Sequence, residues 1–223
     1  MVIDSTNALK PGHSKSEQLV SQGLKRVIQK STGRVIIGCF ASNIARLQSI
    51  GSAAAQTQRH LALAGRSLRR MTRIAKQTGY LKQDFPEIPL SDLGYLPNAN
   101  ALVIATGSQG EPGAALSRLA LDQHPDFALS TEDLVILSTK TIPGNEAAVN
   151  RMIKGLKAQG AEVIAADEHE ALNLHASGHP NQEELDHVYN AVRPYISVPV
   201  HGEPEHLKAS AARARQHQIP HQL

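Results

Sequence analysis

The chain has 223 residues, of which 41% are hydrophobic and 3% aromatic, and its formal net charge is +3. This length suffices for one large core or two small ones, and the core must be aliphatic because tryptophan is absent. The single cysteine, Cys39, excludes an internal disulfide and predicts a buried thiol in a reducing compartment. No apolar run reaches the roughly 18 residues of a membrane span, so the composition predicts a cytoplasmic protein without a membrane partner.

Apolar runs typical of buried strands alternate with segments of helical periodicity along the whole chain. Strand–helix alternation at this spacing indicates parallel pairing through right-handed crossovers, so the predicted fold class is α/β, a parallel sheet flanked by helices. Strands are predicted at 35–40, 61–64, 101–105, 134–137, 163–165 and 195–200. Helices are predicted at 15–30, from Ser42 or Asn43 to about 58, at 66–79, from 114, and at 146–159, 181–193 and 203–216.

The sequence also predicts a break between subregions and the buried face of one helix. The segment 82–100 holds three prolines and is predicted to be an irregular connection, the best candidate for a break between subregions. In the helix 181–193, helical spacing predicts that Leu185, Val188 and Val192 face inward.

The most distinctive stretch contains three histidines beside glycine and proline. His175 and His179 have the spacing of one helix face, but Gly178 and the proline after His179 oppose a helix, so this segment is predicted to be a loop. The hydroxyl of Ser177 and the N–H of Gly178 could hold an oxyanion such as phosphate between the imidazoles. A lone histidine is more often structural, whereas this cluster, with His201 at the end of a later strand, favours chemistry.

Hydroxyl residues and histidines follow several predicted strands. In open parallel sheets, ligands bind beyond the carboxyl ends of the strands. Phosphate contacts are therefore expected from Ser67, Ser108 and Ser138, near His179 and His201.

Loops 106–113 and 138–146 each combine glycine and hydroxyl residues with a proline before a helix. A helix N-terminus of this kind can bind phosphate, although an ordinary strand-to-helix turn uses the same residues, and both interpretations stay open. Neither loop matches the P-loop, and no GxGxxG follows the first strand. The sequence also lacks HxH, HExxH and CxxC, so His201 could only be one ligand of a larger metal set.

Basic residues crowd one predicted helix. Such a patch is typical of nucleic-acid contact, and Arg66 is predicted to bind phosphate, although a solvated helix face is the commoner cause. The patch consists of Arg66, Arg69, Arg70, Arg73 and Lys76.

Seven motifs occur along almost the whole chain in an order that resembles that of the bacterial ribonuclease J family. The members of this family are β-CASP proteins of the metallo-β-lactamase superfamily. The motifs are Asp4-Ser5-Thr6-Asn7-Ala8, Phe40-Ala41-Ser42-Asn43-Ile44, Gly65-Arg66-Ser67, Thr106-Gly107-Ser108-Gln109-Gly110-Glu111-Pro112, Ile142-Pro143-Gly144-Asn145-Glu146, the stretch from His175 to His179, and His201-Gly202-Glu203.

The resemblance implies a fold, a domain order and an activity. Residues 1–14 would end a metallo-β-lactamase part, 15–168 would form the β-CASP domain, and 169–223 would return by strand and helix into the metallo-β-lactamase fold. The implied activity is 5′-to-3′ exoribonuclease and endoribonuclease hydrolysis that depends on two divalent ions, Zn, Mn or Mg. The implied partners are single-stranded RNA with a 5′-monophosphate and, in the full-length form, further copies of the protein.

The resemblance also implies roles for individual residues. Asp4 resembles the motif A carboxylate, His179 the motif B histidine and His201 the motif C histidine. His201 would then bind the second metal, while His179, oriented by Asp4, would protonate the leaving oxygen or steady the scissile phosphate. The family's phosphate-holding loop is matched by His175, Ser177 and Gly178.

The chain departs from the family in lacking HxHxDH and the other metal ligands that precede motif A. Because water activation between two metals needs both ligand sets, we expect a β-CASP-centred piece of a ribonuclease J that is inactive by itself. One alternative is a catalytically inactive module that binds RNA or a partner. Another, a small-molecule α/β enzyme using the three histidines, needs ligands that the sequence does not supply.

Overall fold

A computed structural model describes residues 1–82 and 85–222, and residues 83, 84 and 223 lie outside the described part. Two of these, 83 and 84, fall within the predicted connection 82–100. The chain divides into two compact units, a larger one of residues 16–175 and a smaller one that joins residues 1–15 to 176–223.

The larger unit contains a six-stranded parallel sheet with the order β4-β3-β5-β2-β6-β7. Its two central strands are almost wholly apolar and buried, as expected for strands covered on both faces. The strands are β2 (Val35–Gly38), β3 (His60–Ala64), β4 (Glu87–Ile88), β5 (Ala101–Ala105), β6 (Leu134–Leu137) and β7 (Glu162–Ala165).

Five helices complete the larger unit. The first two begin where a side chain accepts from a free backbone N–H: Ser16 Oγ from Leu19 (3.3 Å) and Asn43 Oδ1 from Arg46 (3.0 Å). The helices are α1 (Glu17–Lys30), α2 (Ile44–Gln56), α3 (Arg66–Gln77), α4 (Ala115–Ala120) and α5 (Glu146–Ala158).

Aliphatic side chains of the sheet form the core of the larger unit. On one face, alternate strand residues such as Ile36 and Val103 pack with Leu116 of α4 and Met152 of α5. The predicted α/β class, a parallel sheet flanked by helices, is confirmed. The thiol of Cys39 is buried as predicted, and burial raises its pKa to about 12.

The prediction of a break between subregions at 82–100 is wrong. Strands β3 and β5, on either side of this segment, pair in register from His60↔Ala101 to Ala64↔Ala105. The segment itself supplies the edge strand β4 and two short 3-10 helices, Leu90–Tyr95 and Asn98–Asn100. Its prolines therefore mark a long connection within one sheet.

The smaller unit contains the parallel strands β1 (Val2–Asp4), β8 (Ile196–Val200) and β9 (His221–Gln222), in the order β1-β8-β9. Helices α6 (Gln182–Val192) and α7 (Pro204–Gln216) belong to the same unit.

Helix α6 packs differently from the prediction. Leu185 is buried as expected, but Val188 and Val192 are 38% and 56% exposed. Tyr189 takes the inward position instead, and its hydroxyl lies 3.0 Å from Ser197 Oγ. Tyrosine can be buried here because its hydroxyl has a hydrogen-bond partner inside the protein. None of the described helices has both the length and the apolarity needed to cross a bilayer.

Candidate active site

Strand pairing in the smaller unit brings the first predicted site residues together. Asp4 ends β1, and its register partner is Val200, the last residue of β8. The N–H of Ser5 continues this ladder to Val200 O at 2.9 Å. Asp4 and His201 consequently leave the same carboxyl edge of the sheet, where their side chains meet.

The conformation of His201 is held by Thr6. His201 has φ of 60°, a left-handed backbone that a residue with a Cβ adopts at a cost, and Thr6 Oγ1 donates to its carbonyl at 2.9 Å. Since this bond uses the only hydroxyl proton, Thr6 Oγ1 accepts from His201 Nδ1 at 2.7 Å. The Nδ1 of His201 therefore carries the hydrogen.

Asp4 connects the two histidines through one oxygen. Its Oδ2 lies 3.0 Å from His179 Nδ1 and 3.2 Å from His201 Nδ1. An ionised carboxylate only accepts, so the hydrogen of the neutral His179 ring lies on Nδ1, while the Nδ1 hydrogen of His201 is donated to Thr6 Oγ1. The rings are stacked with centroids 5.2 Å apart. In the neutral rings both Nε2 atoms keep a lone pair, on side chains that are 40% and 67% exposed.

The charge of Asp4 is stabilised locally. Burial raises its pKa, but the backbone N–H of Thr6, at 2.9 Å from Oδ1, and the neighbouring His179 lower it more, so the pKa lies below the usual value. The carboxylate is thus ionised near neutral pH. It can therefore orient the imidazole of His179 through the hydrogen bond to Nδ1.

Ser177 and Gly178 lie beside this centre in the smaller unit. Asn7 is buried and donates from Nδ2 to Ser177 Oγ (3.1 Å) and to His179 O (3.0 Å), and the N–H of His179 also donates to Ser177 Oγ (3.2 Å). The serine hydroxyl accepts both bonds, and its own proton is left for a ligand. A Cβ added at Gly178 would meet no described atom within 4 Å, so the backbone there is open to approach.

The other predicted site residues belong to the larger unit. Arg66 and Ser67 are exposed at the start of α3, and Ser108 is buried after β5. Ser138 is also buried, with its hydroxyl donating to Leu174 O at 2.7 Å. Direct phosphate binding by these four residues stays a prediction, and the hydroxyl of Ser138 is occupied by protein atoms.

A buried arginine accounts for the position of Ser138. Arg46 is fully buried in α2, and its guanidinium donates to both carboxylate oxygens of Glu17 (2.7 and 3.1 Å). It also donates to Ser138 Oγ (2.6 Å), Ser138 O (2.8 Å) and Leu174 O (3.4 Å). Burial, and next the charge of Arg46, lower the pKa of His175. The network ties α1, α2 and the end of β6 to the residue before His175.

Three positioning residues were not singled out from the sequence. Thr6 and Asn7 directly follow Asp4, and polar residues next to a strand-end carboxylate were the available signal. Arg46 is the single cation in the helix Ile44–Gln56, and an isolated charge within an apolar helix indicates a buried partner.

Comparison with known proteins agrees with this architecture. Residues 32–156 match the family model described as the β-CASP domain of ribonuclease J, and residues 170–223 match that of a Zn-dependent metallo-hydrolase RNA specificity domain. The resemblance stated from the sequence is therefore confirmed.

Curated relatives cover nearly the whole chain. Ribonuclease J of Sinorhizobium meliloti is 43% identical over 99% of this chain, and that of Thermus thermophilus is 43% identical over 92%. Ribonuclease J2 of Bacillus subtilis is 37% identical over 97%. The chain spans 38%, 35% and 38% of the lengths of these three relatives. On the match of its sequence, its parallel β-CASP sheet and its second matched region, the chain belongs to the ribonuclease J family.

Proposed function

We propose that this chain contributes part of the catalytic centre and the RNA-binding surface of a metal-dependent ribonuclease. The observation that carries the proposal is the arrangement at the end of β1, where one carboxylate orders two imidazoles and leaves both Nε2 atoms accessible. The relatives are named ribonucleases, and one matched region is described by Zn dependence and RNA specificity.

The donor set fits a divalent metal. Ligand atoms of Asp4, His179 and His201 all lie within 4.8 Å of one another, and metal-bound histidines characteristically donate their other N–H to a carboxylate. We assign His201 Nε2 as a metal ligand and Asp4 as the group that orients it. When bound, the metal supplies an activated water and neutralises charge on the phosphate. Two ions, Zn, Mn or Mg, need more ligands than these three, and HxHxDH does not occur in the 223 residues.

His179 is suited to move a proton. Its Nδ1–H is held by Asp4, so Nε2 is the atom that exchanges a proton with the leaving oxygen. The carboxylate fixes the ring so that Nε2 can accept a proton and, once protonated, donate to phosphate. We propose this role for His179 in both exonucleolytic and endonucleolytic cleavage.

The RNA end is proposed to bind at the histidine loop. The free hydroxyl proton of Ser177 and the N–H of Gly178 favour a 5′-monophosphate. In the larger unit, phosphate contacts remain predicted for His175, Arg66, Ser67, Ser108 and Ser138, of which Ser138 has its hydroxyl occupied by protein atoms. Single-stranded RNA as substrate, self-association of the full-length form and cytoplasmic location belong to the same proposal.

The function is tested in two steps. First, the purified chain is incubated with 5′-monophosphorylated RNA and Mn, Mg or Zn, and we expect binding without hydrolysis because the metal centre needs further ligands. Second, the chain is fused behind the preceding part of the Sinorhizobium meliloti relative. This chimera should degrade RNA, and His201→Ala should abolish the activity while leaving thermal unfolding unchanged. A folded chimera that binds RNA but never cleaves it would favour the alternative, a catalytically inactive RNA-binding module.

A further inference from the structure

A long groove in the larger unit lies beside α3 and β4. One cavity of about 630 Å³ is lined by Arg66, Ser67, Arg118 and His124, and another of about 890 Å³ by Arg73 and the segment 87–91. Arg69, Leu90 and Asp126 line both cavities, so the two adjoin. We call the adjoining pair the α3 groove.

The arginines of the groove form no ion pair with a described carboxylate. The side chains of Arg66, Arg69 and Arg73 are exposed on α3 and make no hydrogen bond or ion pair with the described residues. Arg118 donates only from Nε, to Gly113 O at 3.0 Å. Opposing charge is limited to Asp126, because Glu87 is paired with Lys76 at 2.8 Å. Four arginines against one uncompensated carboxylate favour a polyanion.

His124 adds a buried donor to the same groove. Its side chain is 6% exposed, and its Nδ1 accepts from the N–H of Asp126 at 3.3 Å. The proton of the neutral ring is therefore on Nε2, which has no hydrogen-bond partner among the described residues. Burial lowers the pKa of His124, and the charge of Arg118 lowers it further, against the opposite effect of Asp126. A neutral imidazole thus presents an N–H to the groove.

The entrance of α3 completes the arrangement. Gly65 precedes the helix with φ of 139°, and a Cβ there would lie 2.5 Å from the side chain of Thr106, so only glycine permits this turn. No side chain caps the helix, and the first N–H groups remain free beside Ser67. From Arg66 to Arg73 the helix rises roughly 10 Å at about 1.5 Å per residue. This length is greater than one phosphate group, so the arginines can contact more than one phosphate.

We propose that the α3 groove holds the phosphodiester backbone of single-stranded RNA at internal positions of the chain. Arg69, Arg73 and Arg118 contact successive phosphates, and His124 donates from Nε2 to a phosphate or ribose oxygen. A concave cleft with spaced guanidinium groups fits an extended polymer, whereas a lipid surface needs an exposed flat or convex face. The choice of RNA rests on the proposed function.

The test measures equilibrium binding of a fluorescent 5′-hydroxyl RNA 12-mer by anisotropy, in EDTA and at several salt concentrations. Because metal and the 5′-phosphate are omitted, the measured affinity reports binding at the groove and not at the histidine centre. Arg69→Gln with Arg73→Gln is compared with Arg70→Gln and Lys157→Gln, a matched loss of two exposed cations outside the groove, of which Arg70 shares the helix. His124→Phe tests the ring N–H separately.

We expect the groove pair to weaken binding at least tenfold and to reduce the slope of log K against log salt by about 1.4, since each lost phosphate contact changes it by about 0.7 on single strands. The control pair should change affinity less than threefold, and His124→Phe should weaken binding several-fold with unfolding unchanged. Equal effects of the two pairs would overturn the proposal. So would tighter binding of a mononucleotide than of the 12-mer, or groove-dependent binding to phosphatidylserine vesicles without groove-dependent RNA binding. Loss of hydrolysis in the chimera with intact groove binding would contradict the proposed catalytic function alone.

Discussion

The two units place their histidines in opposite electrostatic settings. In the larger unit, Arg46 is fully buried and makes five hydrogen bonds to protein oxygens. Nearby, His175 Nδ1 is buried without a hydrogen-bond partner in the described part of the chain. In the smaller unit, Asp4 is 30% exposed, and His179 and His201 each use one ring nitrogen and leave the other free.

The difference separates a charge that is paired inside the protein from a charge whose neighbouring imidazoles keep an open ring nitrogen. A buried guanidinium whose three nitrogens all donate to protein oxygens fixes the loops around it, because any movement leaves an unpaired polar group in a medium of low polarity. A half-exposed carboxylate–histidine group keeps its orientation and still has an open coordination position. The buried network therefore holds the loops of the larger unit in place. The open group of the smaller unit is the one that we propose for catalysis.

The largest expected effect is loss of the buried network. Arg46→Met keeps the length of the side chain but leaves Glu17 and the carbonyl of Ser138 without their donor, while Leu174 O keeps only the hydroxyl of Ser138. We expect the free energy of unfolding to fall by about 3–5 kcal/mol, as for other buried pairs that lose one partner. Urea denaturation with amide exchange at Ile136 measures the change.

An exposed arginine is the control for this substitution. The side chain of Arg70 is exposed and makes no hydrogen bond or ion pair with the described residues, so Arg70→Met should change the free energy of unfolding by less than about 0.5 kcal/mol. If the two variants were equally stable, the Arg46 network would not hold the larger unit together, and the contrast between the units would fail.

A smaller effect is expected at the open centre. Asp4→Asn keeps the size of the side chain but removes the charge that accepts from His179 Nδ1 and lies 3.2 Å from His201 Nδ1. We expect zinc affinity to fall by about 10–100-fold, the usual cost of losing a carboxylate behind a histidine ligand. Isothermal titration with zinc measures the affinity, and histidine ¹⁵N chemical shifts report which ring nitrogen carries the proton.

Thr6→Ser provides the conservative comparison, because it keeps the hydroxyl that orders His201. Its zinc affinity should stay within about threefold of the original, well below the effect of losing a carboxylate. Unchanged affinity in Asp4→Asn, with unaltered histidine shifts, would show that Asp4 does not orient the centre.

The smallest effect concerns a carboxylate–histidine contact with no free nitrogen. His217 contacts Asp186 through Nε2 (2.7 Å) and Asn190 through Nδ1 (3.1 Å), while Arg213 donates to both oxygens of Asp186. Burial raises the pKa of Asp186, but the hydrogen bonds from Arg213 and His217 lower it more, and the net pKa is below the usual value. This cluster should act through stability alone.

A lowered carboxyl pKa stabilises the fold above the unfolded value of about 3.9 and loses this contribution as the pH falls through the folded pKa. Asp186→Asn should therefore cost about 1 kcal/mol at pH 7, and the difference from the original chain should shrink below about pH 4. Zinc affinity should not change. A stability difference that persists to pH 2 would mean that hydrogen-bond geometry, and not charge, carries the effect.

Local patterns predicted many of the secondary elements. The buried strands β2, β5 and β6 read as continuous apolar runs, and the loop around Gly178 followed from glycine and proline beside the histidines, because backbone preferences act over a few residues. The rule that ligands bind beyond the carboxyl ends of strands predicted His179 and His201 as candidate residues, and Asp4 joined them only through the family resemblance. Their functional roles stay predictions.

The sequence by itself determined the α/β class, the aliphatic core and which side chains have the chemistry to bind phosphate or metal or to transfer a proton. Only the tertiary structure decided the strand order β4-β3-β5-β2-β6-β7, the inward position of Tyr189, and the pairing of β1 with β8. It also decided that one oxygen of Asp4 contacts both imidazoles and that Arg46 donates a hydrogen bond to Ser138. These contacts join residues far apart in the chain, so their energies depend on packing and desolvation that no local pattern of residue types records.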